Sequence, residues 1–196
     1  MSRVKIGIII GSTRPGRRGA QVAQWVFENA TTRDDAEFEL VDLAEFDLPH
    51  LDEELPASSG KYANAHTQAW AEKIDSFDGF IFVTPEYNHA PSGVLKNAID
   101  FLYREWNNKA AALVSYGASA SGLRAAELLR LILAEVQVAD VRQQVAFSLI
   151  HDFENFSVLK AGPQHEAHLR TMLDQLTAWS GALRGVREAQ QELAAA

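Results

Sequence analysis

Five short apolar runs with helical patterns between them constrain this chain more than any other feature. They are Val4–Ile10, Phe38–Leu43, Gly79–Thr84, Ala111–Tyr116 and Val141–Leu149. The first, third and fourth are almost continuously apolar, as strands buried on both faces of a parallel sheet are. The last alternates weakly and carries Arg142, Gln143 and Gln144, which places it at a sheet edge. Val22, Ala23, Val26 and Phe27 share one face of a helix starting near Gly19. Val94, Leu95, Ala98, Ile99 and Leu102 do so in a helix capped by Ser92, and Leu169, Met172, Leu173, Leu176 and Leu183 form a long stripe near the C-terminus. Strand–helix alternation with right-handed crossovers implies a doubly wound α/β sandwich: a five-stranded parallel sheet in the order 2-1-3-4-5, with helices on both faces.

A length of 196 residues fits one such domain, expected over residues 1–185 with residues 186–196 as a tail and a frayed helix end. The helix over Leu123–Ala134 differs from the others. Leu128, Leu129, Leu131, Ile132 and Leu133 wrap most of its circumference, which predicts a second buried side and a homodimer or homotetramer interface there. Pro49 and Pro56, with Asp52, Glu53 and Glu54, make residues 46–60 a loop, and Ser58-Ser59-Gly60-Lys61 reads as a helix start.

The chain has no cysteine, which excludes disulfides, iron–sulfur ligation and thiolate chemistry, so any redox work needs a bound cofactor. A net charge of −8 argues against nucleic acid or an anionic membrane as the main partner. No apolar run reaches membrane length, and the first, ending at Gly11, is too short for a signal-peptide core; the cytoplasm is the expected location. His165 and His168 are spaced for one helical face, but no third ligand completes a set. They read as two exposed histidines, and no metal site is expected.

In an open doubly wound sheet, ligands bind outside the carboxyl ends of the strands, where strand order reverses. Three loops fall at such ends. The first, Gly11 to Gly19, offers the hydroxyls of Ser12 and Thr13, the guanidinium groups of Arg14, Arg17 and Arg18, and free N–H groups at a helix N-terminus. These are the parts of a phosphate site. The loop lacks both the Lys-Ser/Thr of a triphosphate loop and the G-x-G-x-x-G spacing of a dinucleotide site, so a monophosphate fits it better. The second, Thr84 to Gly93, combines Pro85, Glu86, Tyr87, Asn88 and His89, a stiff aromatic and amide surface for a planar ring. The third, Tyr116 to Gly122, is built of small residues that let backbone approach a ligand closely. Together they describe FMN at a flavodoxin-type switch point.

On these residues the sequence resembles the NADPH-dependent FMN reductase family, flavodoxin-like flavoproteins. The matching pieces are Gly-Ser-x-Arg at 11–14, Pro-Glu-Tyr-Asn at 85–88, Ser-Gly-x-Leu-Lys-Asn-Ala-Ile-Asp at 92–100 and the glycine-containing loop from 117, within residues 4 to 150. The resemblance implies FMN phosphate held by Ser12 and Arg14, with Thr13, Arg17, Arg18 and Gly19 closing the loop over it. It implies isoalloxazine contacts from Pro85, Glu86, Tyr87, Asn88, Tyr116 and Gly117. Where many members have Ser and Asn this chain has Arg17 and Gly19, and Arg17 stands as a charged substitute. Trp106 is expected to border the flavin of a partner subunit. The implied reaction passes hydride from NADPH or NADH through FMN to a small acceptor such as a flavin or quinone, with no catalytic side chain beyond those that hold the cofactor. The alternatives are a flavodoxin-type one-electron carrier and a domain that keeps only the fold.

Overall fold

The structure, a computed structural model, describes residues 3–195. Its five-stranded parallel sheet has the order β2-β1-β3-β4-β5, with β1 Val4–Ile10, β2 Ala36–Asp42, β3 Gly79–Pro85, β4 Lys109–Gly117 and β5 Val138–Ser148. The expected strand order therefore holds, including the edge position of β5. This strand begins earlier than its apolar run because Val138 pairs with Lys109 at the start of β4.

Alternation of side chains along each strand divides the core into two layers. Ile6, Ile8, Ile81, Val83 and Val114 pack against α1 (Gly19–Ala30) and α5 (Pro163–Ala195). Ile9, Phe80, Phe82 and Leu113 pack against α2 (Ala65–Asp75), α3 (Gly93–Asp100) and α4 (Leu123–Glu135). Trp106 belongs to the second layer. It is fully buried, its indole N–H donates to Ile99 O, and its ring lies against Trp70, Phe80 and Phe82. It is a core residue of its own subunit, so the expectation that it borders a partner's flavin is wrong.

Three further expectations change. Residues 57–59 form a single 3-10 turn, ended by Gly60 at φ +66°, and α2 starts only at Ala65. The Glu53 carboxylate, from the preceding loop, accepts the N–H groups of Ala63 and Asn64 just before that start. His165 is buried rather than exposed: it stacks on Phe147 at 4.5 Å and its Nδ1 accepts the Gly162 N–H, while His168 is exposed. Helix α5 runs unbroken across Gly185, where Arg187 pairs with Asp78 and donates to Asn108 O. A short antiparallel hairpin, β6 (Phe153–Glu154) and β7 (Val158–Leu159), sits between β5 and α5. Among the described residues no helix is long and apolar enough to cross a membrane.

Candidate functional site

The three loops converge at the carboxyl ends of β1, β3 and β4, and specific contacts hold them there. The Gly11 N–H donates to Val83 O at 2.9 Å. A Cβ at Gly11 would lie 2.8 Å from that carbonyl oxygen and 2.9 Å from the Leu95 side chain, so the close approach requires glycine. Ser92 caps α3 by accepting the Leu95 N–H, and its own hydroxyl donates to Gly11 O. The residue that starts α3 thus also fixes the first loop.

Ser12 follows Gly11 and is 1% exposed; its Oγ is 2.9 Å from the Tyr87 hydroxyl. Tyr87 therefore folds back onto the first loop. Arg14 is exposed above it, with the guanidinium 5.9 Å from the Tyr87 ring centroid. The backbone turns at 14–17, where the Arg17 N–H reaches Arg14 O, and enters α1 with no side-chain cap. The N–H groups of Thr13, Gly16 and Arg18 have no acceptor among the described residues. Uncapped N–H groups at a helix start carry partial positive charge.

Tyr116 lies underneath this loop. A Cβ on Gly19 would be 2.7 Å from the Tyr116 hydroxyl, so glycine leaves room for the phenol. The ring is 4% exposed and its hydroxyl has no hydrogen-bond partner. Burial, with Tyr87 close by, pushes its pKa above the ordinary tyrosine value, so the group stays protonated and is a donor. A buried hydroxyl without a partner costs stability unless a ligand supplies one. An anion on the first loop meets Ser12, Arg14 and open N–H groups, with this phenol beneath them, so the donor set fits a phosphate.

The other two arginines of the first loop are directed elsewhere. Arg17 pairs with Asp42 at the end of β2, and Arg18 Nε donates to Phe156 O at 2.8 Å. Arg17 is therefore tied to its own protein's carboxylate and is no simple substitute for a phosphate-binding serine.

In the second loop, Tyr87 and Ala90 exchange backbone hydrogen bonds around Asn88 (φ 51°) and His89 (φ 69°). This is a type I′ turn with His where glycine is usual, and it holds both side chains exposed. The Glu86 carboxylate is bound by Arg124, through Nε at 2.5 Å and the backbone N–H at 3.2 Å. Arg124 opens α4 and was not singled out in the sequence, because nothing along the chain links it to Glu86. In the third loop, a Cβ at Gly117 would sit 2.8 Å from Gly122 N, and Gly122 itself has φ +78°. Ser115 and Ser148 hydroxyls bind Ser121 O and Ala118 O, so this small-residue loop is fastened to β4 and to the end of β5.

A cleft of about 700 Å³ lies to one side, between residues 43–50 and the start of α3. Thr13 is the one predicted ligand residue on its wall, and Val94, expected in the core, opens onto it. Asn97 secures that wall by donating to Pro49 O and accepting the Leu51 N–H. Among the described residues no cluster of acids and histidines is arranged to hold a metal.

The model of the NADPH-dependent FMN reductase family matches residues 4–152. An NAD(P)H-dependent FMN reductase of Schizosaccharomyces pombe is 43% identical over 126 residues, covering 63% of this chain and 63% of the relative. One from Nectria sp is 36% identical over 167 residues, covering 81% and 82%. The fold is also that of a solved flavoenzyme NAD(P)H:(acceptor) oxidoreductase from Paracoccus denitrificans, at a TM-score of 0.71 and 22% identity over 91% of this chain and 98% of that one.

Proposed function

Because the chain belongs to the NADPH-dependent FMN reductase family, we propose that it binds FMN and uses it to move reducing equivalents from NADPH or NADH to a small acceptor such as a flavin or quinone. The observation that carries this reading is the donor set on the first loop. Ser12 is fixed by Tyr87, Arg14 is exposed, the Thr13, Gly16 and Arg18 N–H groups leading into α1 are free, and the Tyr116 hydroxyl is buried beneath them. Thr13 and Gly19 complete the cradle, one as a hydroxyl at its rim and the other by making room for the phenol.

FMN, when bound, supplies the capacity to accept and release a hydride. The chain's part is to hold and expose it. Pro85, Glu86, Tyr87 and Asn88 give a stiff edge, locked by the Glu86–Arg124 pair and the type I′ turn. Gly117 offers backbone where a side chain would collide with Gly122. Past Tyr116 the third loop has no large side chain, which leaves space for a second planar ligand over the first. In this reading the donor and the acceptor use that space in turn. Leu128 and Leu131, the latter 71% exposed, form an apolar outer face on α4 that supports a homo-oligomer.

The test is whether FMN, and not FAD, raises the thermal midpoint. Ligand at about a hundredfold its Kd stabilises by about 2.7 kcal/mol. An unchanged midpoint in saturating FMN, or release of FAD from denatured protein, rejects the proposal.

A further inference from the structure

The β6–β7 hairpin lies just past the family match and is built against its own backbone preference. Its tip, Asn155 (φ 51°) and Phe156 (φ 54°), is closed by the Ser157 N–H on Glu154 O at 3.0 Å. Such a turn favours Asn-Gly, and an aromatic residue in the left-handed region is strained. The phenyl gains little packing in return, since Phe156 is 62% exposed. The support is nonetheless firm. Phe153 is buried, the Leu159 N–H donates to Gln21, and the Lys160 N–H donates to Asp152 O at 2.7 Å.

Beside the tip, the Arg18 Nε bond to Phe156 O ties the guanidinium to the backbone of the turn that carries the ring. Its two terminal nitrogens meet no acceptor among the described residues. An exposed aromatic face and a guanidinium held by one anchored nitrogen are the two groups that recognise a phosphorylated aromatic base. The base stacks on the ring and the phosphate takes the charged N–H groups.

We propose that Phe156 and Arg18 form a subsite for a phosphorylated adenosine, the adenosine 2′-phosphate half of the nicotinamide donor; this rests on reading the chain as an NAD(P)H oxidoreductase. The adenine lies on the Phe156 ring and the 2′-phosphate on Arg18. The subsite therefore favours NADPH over NADH. It also separates the tasks of the first loop, with Arg14 serving the flavin phosphate and Arg18 serving the donor.

Calorimetric titration of the purified full chain, FMN-saturated, with adenosine 2′,5′-bisphosphate tests this without any turnover. Phe156→Gly gives the tip the residue its backbone prefers, so the hairpin is retained, and Arg18→Gln keeps a donor while removing the charge. Each variant should bind the bisphosphate about tenfold more weakly than the wild type, the scale of one lost stacking or charged contact. Their kcat/KM for NADPH should fall by a similar factor, while Phe156→Gly uses reduced nicotinamide mononucleotide, which lacks the adenosine half, as before. No binding to the wild type, or undiminished binding to Phe156→Gly, overturns the subsite. So does a change in oligomeric size in Phe156→Gly with affinity unchanged, which would make the ring a contact between copies. Bisphosphate binding without flavin reduction by NADPH would instead reject the oxidoreductase reading and leave a nucleotide site.

Discussion

Substituting Gly19 tests whether the Tyr116 phenol lies where the first loop needs it. Alanine at the first position of a helix should help, by up to about 1 kcal/mol on propensity alone. Here the new Cβ would stand 2.7 Å from the Tyr116 hydroxyl oxygen, while the nearest ring carbons are at 3.4 Å. The collision is thus with the hydroxyl alone. Overpacking of this kind costs about 1–3 kcal/mol, so Gly19→Ala should destabilise the flavin-free protein by about 0–2 kcal/mol once the propensity gain is included. Removing the oxygen removes the collision. Tyr116→Phe deletes a buried hydroxyl that has no partner, so this change should be neutral or slightly stabilising without flavin. In that background Gly19→Ala should cost nothing or stabilise, giving a coupling of about 2 kcal/mol. Urea unfolding of the four proteins measures this directly. If Gly19→Ala costs the same with Phe as with Tyr at position 116, the phenol is not packed against the helix start, and the argument for a donor beneath the loop is lost. The FMN-saturated series adds a second reading. Tyr116→Phe should lose more of the FMN-induced stabilisation than of any riboflavin-induced stabilisation.

Arg14→Ala should weaken FMN binding about ten- to a hundredfold, the scale of a hydrogen bond to a charged group. It should scarcely affect riboflavin, and equal losses in the two fluorescence titrations would assign Arg14 to the fold or the ring. Lys109 is 2% exposed, and its ammonium donates to Ile74 O and Asp75 O at the end of α2. Burial lowers its pKa to about 8. Between that value and the ordinary lysine value the unfolded chain holds the extra proton, so this residue makes stability rise with pH across the window and adds no slope below it. Lys109→Met should flatten the rise in denaturant midpoint between about pH 8 and pH 10. Parallel profiles for variant and wild type would refute the assignment.

Much of the architecture was legible because burial on both faces leaves a composition trace. Ile6 through Ile10 and Phe80 through Val83 have no solvent side, so their apolar runs mark β1 and β3 directly. The first loop was legible for a related reason, since hydroxyls, arginines and glycines gathered before a helix have few other uses. What escaped were relations between distant residues. Arg17 finds Asp42 because β1 pairs in parallel with β2 and brings Ile10 opposite Asp42, a register not visible in either segment alone. Glu86 finds Arg124 by the same kind of adjacency. Trp106 looked free to reach a neighbour because it follows a helix, yet the chain turns it inward onto Trp70 and Phe80. His165 looked exposed because its helical neighbours are polar, but Phe147 of β5 offers a stacking surface from below. The strained tip at Asn155–Phe156 left no periodic trace at all.

A flavin held by the three loops must be one that a nicotinamide nucleotide can reach and reduce. The most direct measurement mixes FMN-loaded protein with NADPH, and separately with NADH, under anaerobic conditions and follows the visible flavin absorbance by stopped flow. At least one donor should bleach the bound flavin in a single stage, and adding a quinone or free flavin should restore the colour. If neither donor bleaches it within minutes, while dithionite does so in two separate one-electron stages, the protein is an electron carrier and the oxidoreductase account is contradicted.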